Sequence, residues 1–124
     1  MKIIIWNTKG TVAAWHWLRE EDSDVWLVQE CNPSVAQLRQ ENVVWGNTEE
    51  KSTVAIVAPG FEIEKFDWIS ALRDEDLKRL GKDLERTPKY RGRFVGAKAV
   101  ISEQAWIFFS YHAFPIELEE KQII

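Results

Sequence analysis

Ile3-Ile4-Ile5-Trp6 runs straight into Asn7-Thr8, and Val25-Trp26-Leu27-Val28 runs straight into Gln29-Glu30. Unbroken apolar runs of this length predict strands covered on both faces, the habit of a sheet that carries helices, and so an α/β fold class. The backbone is rigid where such strands end. The next side chain projects into the crevice where open α/β sheets bind ligands. A carboxylate and an amide on neighbouring strand tips suit a hard divalent cation with a phosphate oxygen beside it. Taken singly, Asn7 and Glu30 read as the starts of two solvent-facing loops. The pair is what points to a site.

A third apolar run, Trp106 to Phe109 in WIFFSYHAFP, leads to His112. Histidine is the natural proton donor or acceptor near neutral pH, with an unperturbed pKa of about 6.5. A structural histidine bonded at a strand end is the plainer reading of the same residue. His16, inside the helical stretch AAWHWLRE, reads as a surface residue. Arg86, Lys89, Arg91 and Arg93 surround Tyr90 just before the strand expected over Phe94–Ile101. A solvated charged loop accounts for them by itself.

In this order the segments MKIIIWNTKG, DVWLVQECN and WIFFSYHAFP resemble the first half of the endonuclease/exonuclease/phosphatase superfamily, the DNase I-like metal-dependent phosphodiesterases. The resemblance implies a DNase I-like mixed β-sandwich with flanking helices, residues 1–124 forming the N-terminal part of one such domain. It implies Asn7 as the active-site asparagine, Glu30 as the metal-binding glutamate and His112 as the catalytic histidine. Arg91 or Arg93 would be the arginine on a substrate phosphate. The cofactor implied is Mg²⁺ or Mn²⁺, the substrate a phosphate ester, with nucleic acid among the options. The family's later Gly-Asp-x-Asn and Ser-Asp-His segments are absent. A glutamate that members place before a central strand has only Glu49 or Glu50 as a match, and the sequence does not choose between them. The rival reading is a non-catalytic or split half-domain, completed by self-association or by a missing C-terminal half and acting as an interaction module.

Composition sets the outer bounds. At 124 residues, with 45% hydrophobic and 29% charged residues, the chain is at most one ordinary globular domain. A net charge of −4 argues against holding nucleic acid by electrostatics alone, while leaving room for a nuclease whose positive charge is local or metal-borne. One cysteine, Cys31, excludes an internal disulfide, and one Cys with two His builds no zinc pattern. Cys31 reads as structural. With no signal-peptide pattern and no apolar run of roughly 20 residues, the expected compartment is the cytoplasm.

The remaining elements follow from periodicity and punctuation. Thr11 is expected to cap a helix reaching about Glu21, with Ala14, Trp15 and Leu18 inward. A two-turn helix is expected from Val35 to Gln40, capped by Ser34. Strands are expected over Val43–Trp45, Thr53–Val57 and, with interrupted alternation, Phe61–Trp68. A charged helical insertion is expected over residues 70–86, then a hairpin turning at Ser102-Glu103-Gln104. Of the seven tryptophans, Trp17 and Trp45 are the ones expected to remain partly exposed.

Overall fold

The computed structural model describes residues 1–46, 52–67, 73–76, 78–79 and 94–111. Its elements are β1 (Ile3–Asn7), α1 (Val12–Glu20), β2 (Val25–Cys31), α2 (Pro33–Ala36), a 3₁₀ turn (Gln40–Asn42), β3 (Val43–Trp45), β4 (Thr53–Val57), β5 (Glu64–Lys65), β6 (Phe94–Ile101) and β7 (Gln104–Tyr111). They form two sheets. One has the strand order β1-β2-β4-β3, the other β5-β6-β7. β1 runs parallel to β2, and every other pair is antiparallel.

Alternation along β2 and β4 builds three layers. Val25 and Leu27 of β2 and Val54 and Ile56 of β4 face the second sheet, where they meet Val95, Ala97, Ala99 and Phe108. Trp26 and Val28, with Ala55 and Val57, face the opposite way and pack under Trp15 and Leu18 of α1 and Ala36 of α2. All five residues of β4 are buried. The apolar runs in β2 and β4 are therefore what a strand covered on both faces requires.

β1 is different. It is the edge of its sheet, and only Ile4 packs against the helical-side core. Ile3 is 41% and Ile5 69% exposed. The expectation that β1, like β2, is covered on both faces is thus corrected. An apolar run does not distinguish a central strand from an edge strand.

Local chemistry explains the helix boundaries. The Thr11 hydroxyl accepts the Ala14 N–H at 3.3 Å, starting α1, and the Glu21 N–H returns to the Leu18 carbonyl at 3.2 Å, ending it. The second helix is shorter and earlier than its periodicity suggests. Asn32, rather than Ser34, caps it, Pro33 opens it, and Gln37 ends it in a left-handed conformation at φ +51°. The Arg19 guanidinium donates to the carbonyls of Ala36 and Gln37, satisfying that end. Of the expected strand Phe61–Trp68, the described residues 61–67 are strand only over Glu64–Lys65, and Trp68 falls outside the described residues. At Gly96 the packing is tight: a Cβ there would meet the Phe109 ring at 3.0 Å, and that ring would have to give.

Candidate active site at the strand tips

The carboxyl-terminal ends of β1 and β2 are fastened together. Asn7 pairs with Gln29 as the last rung of the parallel ladder. Beyond it the Thr8 N–H donates to the Gln29 carbonyl at 3.0 Å and the Gly10 N–H to the Glu30 carbonyl at 2.8 Å. The Thr8 hydroxyl, 1% exposed, donates to the Glu30 carbonyl at 2.9 Å, with Gln29 as a second acceptor at 3.3 Å. Thr8 thus clips the turn after β1 onto the end of β2.

Glu30 itself is conformationally unusual. Its φ is +51°, a region that L-residues other than glycine, asparagine and aspartate seldom enter. The cause is visible in the register. Val28 lies opposite Ala55 and Cys31 opposite Thr53, so β2 spends three steps where β4 spends two. This is a β-bulge, and bulges of this kind usually place glycine at the left-handed position. Here the position is a half-buried glutamate.

Asn7 is exposed, and its side-chain oxygen accepts the Lys9 N–H at 3.0 Å. That bond engages the amide oxygen, so the group the side chain has left to offer is its NH₂, a donor. Lys9 and Gly10, at φ +50° and +69°, complete a tight left-handed turn beside it.

The second sheet reaches the same end. Ser110 of β7, 1% exposed, donates to the Val28 carbonyl at 3.2 Å and accepts from the Gln29 side-chain amide at 3.4 Å. Gln29 also donates to the Leu27 carbonyl at 3.3 Å. The tips of β1 and β2 and the end of β7 therefore lie at one edge of the sandwich. His112, Arg91, Arg93, Glu49 and Glu50 fall outside the described residues, as does most of the expected helical insertion.

Cys31 is fully buried, and burial pushes its thiol up to about 12, against a smaller opposing pull from the Thr8 hydroxyl. It is no nucleophile at neutral pH. Among the described residues no group of three His, Cys, Asp or Glu side chains could hold a metal ion. Glu30 offers one carboxylate, the Asn7 side-chain oxygen being already engaged by the Lys9 N–H. A single carboxylate fits an Mg²⁺ that keeps several of its waters and does not fit a fully protein-ligated ion.

Thr8, Gln29 and Ser110 were not singled out from the sequence. Their signal was there: each is a polar residue in or beside an apolar strand, and Ser110 takes the inward phase set by Phe108.

No family model matches the sequence, and no curated protein does. Among solved structures, the endonuclease domain of TRAS1, a telomere-specific non-LTR retrotransposon, is similar, with a TM-score of 0.54 at 12% identity. The fold is DNase I-like. The match covers 98% of this chain and 50% of that one, so the chain spans about half the length of the DNase I-like domain it resembles. Among the described residues, no helix is long and apolar enough to cross a membrane.

Proposed function

We propose that this chain is the N-terminal half of a metal-dependent phosphodiesterase of the nuclease type. The observation that carries the reading is Glu30, a glutamate whose backbone is left-handed at a bulge and whose carbonyl is clipped by the Thr8 hydroxyl. Strained positions of this sort persist where surrounding bonds enforce them, and they gather at functional sites. The DNase I-like fold and its endonuclease neighbour agree with it in kind.

In this reading Glu30 binds Mg²⁺ or Mn²⁺, and the Asn7 NH₂ donates to a phosphate oxygen. His112 bonds to the scissile phosphate or moves a proton, and Arg91 or Arg93 neutralises a substrate phosphate. A bound Mg²⁺ supplies Lewis-acid stabilisation of the charge that develops on the phosphoryl group. Ser110, Gln29 and Thr8 hold the strand ends in register without touching substrate. This reading assigns no residue of the chain to the activation of water.

Calorimetric titration of Mg²⁺ into wild type and Glu30→Gln tests the metal assignment. With one carboxylate, affinity should be weak, about millimolar by analogy with weak Ca²⁺ sites, and lost in the variant. An unchanged isotherm removes Glu30 from the metal site. Hydrolysis of plasmid DNA should be negligible with residues 1–124 alone. It should become EDTA-sensitive and His112-dependent when the second half of the fold is supplied.

One observation favours a second reading. Ile3 and Ile5 stand on the sandwich face of an edge strand and are 41% and 69% exposed. A half-domain kept for association rather than catalysis presents such a surface. Hydrolysis that never appears on adding the second half, despite a stable complex, would favour this reading.

A further inference from the structure

A groove of about 360 Å³ opens next to the strand tips, between the edge of β1 and the first turns of α1, lined by Trp6, Asn7, Lys9, Thr11, Ala14 and Trp17 among others. Its lining includes a pair of stacked indoles. The rings of Trp6 and Trp17 lie 4.6 Å apart between centroids, inclined by 24°. Both residues keep 41% of their surface exposed. Two tryptophans stacked in water are unusual, because each ring can bury far more surface in a core. Trp15, two residues before Trp17 on the same helix, does so and is fully buried.

The lining combines two chemistries. Lys9 and Asn7, both exposed, share it with the two indoles. A cation and an amide donor suit a phosphate, and an exposed indole suits the π-face of a base. A nucleotide unit carries both groups, and stacking on aromatic side chains is how single strands are held without sequence preference.

We infer that this groove is a base-stacking subsite for single-stranded or locally unpaired nucleic acid, in which the Trp6–Trp17 pair receives the base of a nucleotide next to the phosphate at Asn7. The inference rests on the phosphodiesterase reading for its substrate class, but it requires neither the metal nor Glu30. It also gives a chain of net charge −4 a means of holding nucleic acid that does not depend on a basic surface.

The test is binding of a short oligodeoxythymidylate in EDTA, compared with an abasic-linker strand of equal length and charge. Wild type should prefer the strand with bases. Trp17→Ala should weaken that binding by about 5- to 150-fold, the range a lost base–aromatic stack costs, and leave abasic-strand binding unchanged. Trp17→Phe, which keeps an aromatic face, should retain most of the preference. Circular dichroism confirms that the variants are folded. With Lys9 as the cation of the groove, the slope of log K against log salt should be shallow, about −0.7 for one phosphate contact to a single strand.

Equal binding of the two strands by wild type would overturn the inference. So would wild-type affinity in Trp17→Ala, or a wild-type dimer that Trp17→Ala dissociates, since the indoles would then be an interface. The metal reading is judged separately, by Mg²⁺ binding to Glu30→Gln. Either reading can fail while the other stands.

Discussion

Glu30→Gly and Glu30→Ala together isolate the backbone at the tip of β2. Both delete the carboxylate and every interaction its side chain makes, so their difference reports the cost of φ +51°. Alanine in the left-handed region costs roughly 1–2 kcal/mol. Glycine within a strand costs roughly 0.5–1 kcal/mol relative to alanine, through chain entropy. At the middle of both ranges the first effect outweighs the second, so the glycine variant should be the more stable by about 0.75 kcal/mol. Ala105, exposed on β7 and without a positive φ, is the control; there Ala→Gly should cost roughly 0.5–1 kcal/mol. Urea unfolding followed by far-UV circular dichroism reads the difference. With slopes of about 1–3 kcal/mol per molar urea, the midpoints should separate by a few tenths of a molar. If Glu30→Ala is as stable as Glu30→Gly, or more so, the bulge does not strain residue 30 and the argument from strain to function collapses. Neither variant should bind Mg²⁺.

Two further predictions concern the groups around Glu30. Thr8→Val removes the hydroxyl that clips the strand ends, but the Glu30 carbonyl keeps the Gly10 N–H and the Gln29 carbonyl keeps the Thr8 N–H. The loss should therefore be that of one ordinary hydrogen bond, about 0.5–1.5 kcal/mol, in thermal or urea unfolding. A loss well above that would mean the tips come apart without the clip. Cys31 should make stability fall with pH at the alkaline end. Its thiol is held to about 12 in the fold against 9.0 when free, so the unfolded chain sheds its proton first. The stabilisation is complete below pH 9 and lost as pH rises toward 12, on the order of 4 kcal/mol in all. Cys31→Ala should lack that slope, and parallel pH profiles for the two proteins would sink the assignment.

Much of the fold was legible because its determinants are local. β2 and β4 announce themselves by continuous apolar runs, and α1 by Thr11 and the spacing of Trp15 and Leu18. What was misread depended on context. The second helix starts at Pro33 because Asn32, not Ser34, captures the first free N–H, and Gln37 stops it with a φ that no propensity signals. The hairpin turns on Ser102-Glu103, both at positive φ, where a two-residue loop ordinarily uses Asn-Gly. Trp6 was expected inside because it sits in an apolar run; it is exposed because β1 is an edge. At the candidate site, the residue types at positions 7 and 30 were readable, but the bulge was not. An extra residue in β2 exists only relative to β4, and that register is set by packing across the sheet.

Strain alone does not mark a site, and the other left-handed residues show why Glu30 stands apart. Ser102 and Glu103 take positive φ because a two-residue hairpin demands it, and Gln37 because a helix ends there. Lys9 and Gly10 lie in the turn that follows β1. Each of these has a local topological cause that many residues could meet. Glu30 lies inside a strand, where the chain needs no turn, at a bulge that glycine would occupy with less strain. Its conformation is held from outside, by Gly10 and the Thr8 hydroxyl on its carbonyl, while Ser110 pins Val28 and Gln29 just before it. Those bonds come from β1's turn and from the opposite sheet, so two separate elements meet at the end of β2. A structural bulge needs only backbone, and glycine would serve it better. Keeping a carboxylate at that position, against the preference of the backbone, is what the proposed metal-binding role of Glu30 requires.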